Sequence, residues 1–297
     1  MRSHRTTLQG VTLLACICGL AAVSASAGAA RAKPAPIVFP VLGPVQYSDD
    51  FHDPRGDTGR HEGIDILAPR RALALAAEAG TVSFWTTSAN AGCMLYLHGD
   101  SGTTYEYIHL NNDLGKGNDN KGSCVAGTAY ADGLKEGDRV AASQPVGYVG
   151  DSGDANGIHP HLHFEVHPKK AAVDPYPYLQ QARPLLFWEP DDRTFSLVLD
   201  GTVTAVGDGT LTLEVTRLRE WPSHEHQTKL DRTLTVTLPL AAPADPGAAN
   251  VKAPAAATVA TAAVGDAVRI WTGPTPADAA AREGADGAIG VKRLLVR

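Results

Sequence analysis

The chain has 297 residues, of which 43% are hydrophobic, and its formal net charge at pH 7 is -6. This length allows two domains of ordinary size, each with its own hydrophobic core. The sequence shows no basic stripe that would contact phosphates, which argues against a general nucleic-acid-binding protein.

Residues 1–27 predict a secretory signal peptide. Arg2 and Arg5 supply the positive start, an apolar run covers 11–23, and Ala25-Ser26-Ala27 offers a small-residue cleavage site. A signal anchor is the alternative, but the run is shorter than the ~20 residues of a spanning helix, so we expect no stable membrane insertion. Lipid attachment at Cys16 is a second alternative. We therefore expect an exported protein, either secreted or periplasmic and cell-wall associated.

Two of the four cysteines, Cys93 and Cys124, lie outside this segment. An even pair in an oxidising compartment predicts a single disulfide. A pair of thiolate metal ligands is the alternative, although the wide separation lacks the C-x-x-C spacing of such sites.

The pattern of residues 36–180 predicts a mainly β fold with an antiparallel sheet. Short apolar runs are interrupted by glycine and aspartate. A long loop is expected at 111–133, and a Cys93–Cys124 bridge would tie it to a strand. The predicted strands are 73–84, 94–98, 103–110, 139–149 and 161–167.

After a proline-containing linker at 181–193, residues 194–297 predict a second, smaller β domain, either a barrel or a sandwich. A hairpin is expected around Gly207-Asp208-Gly209. The Ala/Pro-rich span 241–263 predicts a mobile loop. The strands expected here are 196–206, 210–218, 232–238, 267–271 and 288–296.

The segment 160–166, Pro-His-Leu-His-Phe-Glu-Val, predicts a strand with two imidazoles on one face. Alternation places His161, His163 and Glu165 on that face, and apolar side chains on the other anchor it in the core. Neutral imidazole is both a common zinc ligand and a common general base. A second H-x-H pair, His224 and His226, lies in a polar segment and predicts a solvated loop instead.

Upstream, His61 and Asp65 stand four residues apart around Gly63. Together with His163 they would form a set of three ligands that leaves the fourth position open, as in catalytic zinc sites. An ordinary surface hydrogen bond between His61 and Asp65 is the alternative. The helical H-E-x-x-H arrangement is rejected, because the fifth residue is aspartate and glycine weakens a helix. Glu62 is expected at most to contact one of the metal ligands, not the metal itself.

Several motifs occur in one order: His61-x-x-x-Asp65, Gly80-Thr81-Val82, Tyr107-Ile108-His109-Leu110, Gln144-Pro145-Val146-Gly147 and 160–166. With these, residues 36–180 resemble the lysostaphin-type (LytM-like) zinc endopeptidases, which hydrolyse peptidoglycan. The resemblance implies one Zn²⁺ held by His61, Asp65 and His163. It implies His109 and His161 as base and transition-state stabiliser, and we assign the moving proton to His161. A non-catalytic wall-binding or amidase-regulating module of the same fold is the alternative.

Two features depart from this family pattern. Arg70-Arg71 replaces a glycine-containing turn, and the loop between His109 and Gly137 is unusually long. Both are expected to affect the shape of the groove rather than the metal. Tyr107, two residues before His109, is expected to face the groove as well, and His159 is expected to be exposed.

Overall fold

The computed structural model describes residues 36–56, 59–86, 88–222, 226–238 and 262–297. The predicted signal peptide, Cys16 and most of the Ala/Pro-rich span lie outside these ranges. Within them, every helix falls short of the length and hydropathy needed to cross a membrane.

The first half of the described chain forms two antiparallel sheets, one of six strands and one of two. The larger sheet contains β1 Ile64–Leu67, β3 Gly80–Trp85, β4 Cys93–Gly99, β5 Thr104–Leu110, β6 Arg139–Val140 and β8 His161–His167, and the smaller one β2 Leu73–Leu75 and β7 Pro145–Tyr148. The order in the larger sheet is β1-β8-β5-β4-β3-β6. The predicted mainly β, antiparallel fold is confirmed.

Two predicted strands are each divided. The runs 73–84 and 139–149 both split between the two sheets, because residues 76–79 and 141–144 lead from one sheet to the other. Ala76 N donates to Gln144 O at 2.8 Å, so these connecting segments hold each other by backbone hydrogen bonds. Strand β1 was absent from the predicted strands, since four residues give too short an alternation.

The alternation predicted for β8 is confirmed. Leu162, Phe164 and Val166 are fully buried in the core, while His161, His163 and Glu165 share the opposite face. Strand β8 lies between β1 and β5, and its register with β1 sets Asp65 opposite His163 and Leu67 opposite His161. The sheet therefore brings the two halves of the candidate ligand set together.

The second half folds around a separate hydrophobic core. The elements are α1 Tyr176–Leu179, β9 Thr194–Gly207, β10 Thr210–Trp221, β11 His226–Thr237, β12 Ala267–Thr272, β13 Thr275–Pro276, α2 Ala279–Glu283 and β14 Ile289–Val296. The sheet has the order β9-β10-β11-β14-β12, and β12 pairs with β9 again, so the sheet closes into a barrel rather than a sandwich. Strands β11 and β14 are parallel, and the other pairs of the ring are antiparallel.

The second H-x-H pair is only partly described, since His224 lies outside the described residues. His226 opens β11 opposite Arg219, so the loop prediction is wrong for this residue. The reason is that the β10–β11 ladder continues beyond the apolar alternation that marked its predicted ends.

Candidate functional site

Three donor atoms from distant parts of the sequence converge beside β8. His61 Nε2 lies 2.8 Å from His163 Nδ1 and 3.1 Å from Asp65 Oδ1, and His163 Nδ1 lies 3.0 Å from Asp65 Oδ1. His61 precedes β1 and donates its backbone N–H to Asp53 O, which fixes its position before the strand begins. The structure thus brings together the three residues proposed as metal ligands.

The outward nitrogen of each imidazole in this set already has a partner. His61 Nδ1 lies 2.9 Å from Asp50 O, and His163 Nε2 lies 2.9 Å from Glu165 Oε1. A carbonyl or carboxylate oxygen only accepts, so both outward nitrogens donate, and each inward nitrogen carries a lone pair whenever its ring is neutral. Two lone pairs and a carboxylate oxygen around one point suit a divalent cation, and outer partners of this kind orient metal ligands.

The electrostatics favour positive charge at the same point. Burial alone would lower the pKa of His163, but hydrogen bonds to Asp65 and Glu165 outweigh it and raise that pKa to about 9. Burial would likewise raise the pKa of Asp65, yet hydrogen bonds from His163 and His61 hold it well below its usual range. The site therefore attracts a cation when no proton occupies it.

Gly63 is required by a close approach. A Cβ at this position would lie 2.7 Å from both His163 Nε2 and Phe164 O. Only glycine leaves room for His163 against the segment between His61 and Asp65. The glycine that argued against a helix therefore has a packing role in the site.

A groove of about 1130 Å³ runs beside the ligand set. His109 and His161 both line it, with ring centroids 5.1 Å apart, and His109 is 6.0 Å from His163 by the same measure. All five candidate catalytic and ligand residues therefore share one groove. Its wall includes Glu62, Asn90, Asp154, Ala155 and Ile158.

Both groove imidazoles have a fixed tautomer. His109 Nδ1 lies 2.9 Å from Ser152 O, and His161 Nδ1 lies 2.9 Å from His159 O. Because carbonyl oxygens only accept, each ring donates through Nδ1 and keeps a lone pair on Nε2. Burial, together with His161 and His163, lowers the pKa of His109 to about 4, so this ring is neutral at pH 7.

The expectation that Tyr107 faces the groove is wrong. Its ring is fully buried, and its hydroxyl donates to Leu75 O and accepts from Ala77 N, both at 2.9 Å. Alternation would put His109 on the same face, but His109 has a φ of 62° and turns away from the core. Backbone in this left-handed region is uncommon outside glycine and frequent at functional sites.

Sequence patterns missed the loop residues around the ligands. Arg55 Nη2 donates to Asp65 Oδ2 at 2.6 Å and also lies 2.9 Å from both ring nitrogens of His61. Asp50 and Ser152 contribute backbone carbonyls, which leave no trace in residue type. Glu62 lies exposed on the groove wall, and His159 is exposed as expected.

Cys93 and Cys124 are joined by a disulfide in the structure. Cys93 is buried at the start of β4, and Cys124 belongs to the long loop. The disulfide ties that loop to the sheet where Cys93 pairs with Leu110, the residue of β5 that directly follows His109.

Comparisons with known proteins show which peptidases this chain is similar to. Residues 118–175 match the model of peptidase family M23. The chain is 27% identical over 153 residues to the L-Ala–D-Glu endopeptidase of Bacillus subtilis (strain 168), a match that covers 48% of this chain and 42% of that relative. The chain thus spans less than half the length of this curated relative.

Two solved structures are also similar. The catalytic domain of the antimicrobial peptidase lysostaphin from Staphylococcus simulans is 24% identical, with a TM-score of 0.36 and coverage of 46% of this chain and 92% of that one. A zinc-containing peptidase from Vibrio cholerae is 22% identical, with a TM-score of 0.33 and coverage of 47% and 39%. The family match and the curated relative therefore support the resemblance of this chain to the LytM-like peptidases of family M23.

Proposed function

We propose that the protein is an exported zinc metallo-endopeptidase that hydrolyses peptide bonds in the stem peptides or cross-bridges of peptidoglycan. The observation that carries this proposal is the meeting of His61 Nε2, Asp65 Oδ1 and His163 Nδ1 beside two further imidazoles, those of His109 and His161, in one groove. The match to a peptidase family, and a relative whose name specifies an L-Ala–D-Glu bond, support a peptide of the cell wall as substrate.

His61, Asp65 and His163 would hold the zinc ion, and their number leaves room for a further ligand. Zinc bound there would lower the pKa of a water molecule toward ~7 and polarise the scissile carbonyl. Asp50 and Glu165 support this role, because each accepts a hydrogen bond from the outward nitrogen of a ligand imidazole.

His161 and His109 divide the remaining work. His161 Nε2 carries a lone pair and lies 3.7 Å from Asp65 Oδ1, next to the ligands. We therefore assign His161 as the base that accepts a proton from the attacking water and then donates it to the leaving amine. His109 Nε2 lies 3.8 Å from Asp154 Oδ1, a carboxylate that would favour the ring once Nε2 has taken up a proton. In that protonated form the ring would donate through Nε2 and could stabilise the negative charge that develops on the carbonyl oxygen.

Export and domain organisation belong to the same proposal: a signal peptide at 1–27, the catalytic domain at 36–180, a linker at 181–193 and an accessory barrel at 194–297. The Cys93–Cys124 disulfide supports an oxidising compartment. N-terminal sequencing of the protein recovered from outside the cytoplasm should begin after Ala27. A start at Met1 would contradict the cleavage.

Digestion of purified peptidoglycan tests the activity. The metal-replete protein should release soluble muropeptides, lose this activity with a chelator and regain it with zinc, while mass spectrometry of the fragments identifies the bond. His163→Ala is the matched inactive control. If metal-replete protein cleaved none of several wall types, the enzymatic proposal would be wrong and the non-catalytic module would be favoured.

A further inference from the structure

His109 is held in the groove by the carbonyl of a residue 43 positions away. Its backbone is in the left-handed region, with a φ of 62°, and its N–H donates to Ala91 O at 3.2 Å. The ring itself donates from Nδ1 to Ser152 O at 2.9 Å. The direction of this one carbonyl therefore decides which ring nitrogen faces the groove.

The Ser152 side chain locks that carbonyl in place. Ser152 is almost fully buried, and its hydroxyl donates to Leu110 O at 2.6 Å while accepting from Cys93 N at 2.9 Å. Leu110 directly follows His109, and Cys93 opens the neighbouring strand β4. One hydroxyl thus fixes the Ser152 carbonyl relative to the backbone that carries His109.

A buried ion pair fixes the residue before Ser152. Arg70 donates to both carboxylate oxygens of Asp151, at 2.5 and 2.7 Å, and also contacts Asp113. Both carboxylates are fully buried. A two-point contact between guanidinium and carboxylate fixes orientation as well as distance. The arginine that departs from the family pattern therefore supports the segment that contains Ser152.

The same arginine orders the long loop. Asp113 accepts from the backbone N–H groups of Asp119 and Asn120, at 2.6 and 2.7 Å. Arg70 thus ties the start of the loop to the segment of Ser152.

We propose that Ser152 is a positioning residue that holds His109 in the Nδ1–H tautomer, and that Arg70 supports Ser152 through Asp151. The Nε2 atom is then the nitrogen that exchanges hydrogen bonds and protons with the groove. Tautomer selection by a second partner is a general way to prepare a catalytic imidazole. The inference rests on the proposed peptidase function only for its effect on turnover.

The test compares Ser152→Ala with the unchanged protein, both zinc-loaded and labelled with ¹⁵N-histidine. In the unchanged protein, NMR should show His109 protonated at Nδ1, with its signals assigned through His109→Gln. Ser152→Ala should show a mixture of Nδ1–H and Nε2–H forms. It should also lower kcat by about 10- to 100-fold, the usual range for loss of an outer partner, with KM and bound zinc unchanged.

Thr272→Ala is the matched control. The Thr272 hydroxyl is also buried and also links a backbone N–H to a carbonyl, accepting from Leu197 N at 2.8 Å and donating to Gly273 O at 3.2 Å, but it lies in the barrel. This variant should lose a similar amount of thermal stability while leaving both the His109 tautomer and kcat unchanged. Ser152→Thr, which restores a hydroxyl, should recover the Nδ1–H form.

Arg70→Lys keeps the charge but not the two-point contact, and it should shift the tautomer in the same direction by a smaller amount. Arg70→Lys also provides the tautomer measurement if Ser152→Ala does not fold. A pure Nδ1–H signal in Ser152→Ala, or in Arg70→Lys if that is the variant that folds, would overturn the inference. If the unchanged protein showed the expected tautomer but cleaved no peptidoglycan, only the proposed function would fail.

Discussion

The imidazoles of His61, His109, His161 and His163 share one property: each has one ring nitrogen occupied by a hydrogen-bond acceptor. Three of these acceptors are backbone carbonyls, those of Asp50, Ser152 and His159, and the fourth is the carboxylate of Glu165. Each acceptor assigns the lone pair of the neutral ring to the other nitrogen. Outer hydrogen bonds therefore set the chemistry of the histidines.

Substitution of single histidines should separate metal binding from proton transfer. His161→Ala should retain zinc and lose turnover, because His161 Nε2 lies outside the three converging donors. His163→Ala should lose the metal, because it removes one of those donors. Zinc content by atomic spectroscopy and muropeptide release would measure both effects. A metal-free His161→Ala protein would show that the ligands have been assigned wrongly.

Gly63→Ala should weaken metal binding without removing a ligand. The new Cβ would come within 2.7 Å of His163 Nε2, the atom that donates to Glu165, so the ring must shift. We expect a loss of zinc affinity of about 10- to 100-fold, the range for disturbance of an outer partner. A competition titration with a chromophoric chelator measures it. Gly102→Ala, at a position with open space but strained backbone, controls for general destabilisation. Unchanged affinity in Gly63→Ala would refute the role of this close approach.

Among the strands, β8 determines the site because both of its neighbours contribute to it. Its register with β1 pairs His163 with Asp65, and its register with β5 sets Glu165 opposite Glu106. Like charges directly opposite each other destabilise a sheet. His167 compensates in part, since its Nε2 lies 2.6 Å from Glu165 Oε2 and 3.3 Å from Glu106 Oε1.

The pairing of Glu106 with Glu165 predicts that the protein loses stability as the pH rises. Burial, and then Glu165, raise the pKa of Glu106 to about 7, above its ordinary value of 4.5. The folded state therefore holds this proton more tightly than the unfolded state does, and stability falls as the pH rises from about 4.5 through 7. Glu106→Gln should stabilise the protein at pH 8 by roughly 0.2–1 kcal/mol, and by less at pH 5.

Urea unfolding of both proteins at pH 5 and pH 8 measures the difference in the free energy of unfolding. Glu214→Gln is the control, because Glu214 is an exposed strand residue opposite Thr202 and Thr233 rather than another acid. An equal gain at both pH values would contradict the role assigned to the raised pKa.

At the scale of the molecule, the described residues are stabilised by two large hydrophobic cores, by a smaller apolar cluster and by cross-links that reach the loops around the groove. The disulfide closes a separation of 31 residues and holds the long loop against β4. The proposed metal would act similarly, because it would join segments 102 residues apart in sequence, as the contact between His61 and His163 shows.

Removal of the metal should therefore lower the melting temperature. A ligand that binds only the folded state stabilises it by about 4 kcal/mol at a thousandfold excess over its Kd. At roughly 2–4 °C per kcal/mol for a chain of this size, we expect a decrease of about 10 °C on chelation. Thermal unfolding with and without chelator measures it. His163→Ala should melt at the same temperature in both conditions, and an equal decrease in this variant would mean that the chelator acts elsewhere.

The sequence by itself identified the five candidate side chains that share the groove, because residue type and strand alternation are local properties. The faces of β8, the His61 and Asp65 pair and the mainly β fold all followed from it. Only the tertiary structure decided which nitrogen of each imidazole donates a hydrogen bond, that Tyr107 is buried, and which residues Arg70 contacts. The physical reason is that these depend on a left-handed backbone at His109 and on hydrogen bonds to distant backbone carbonyls, which any residue type can provide.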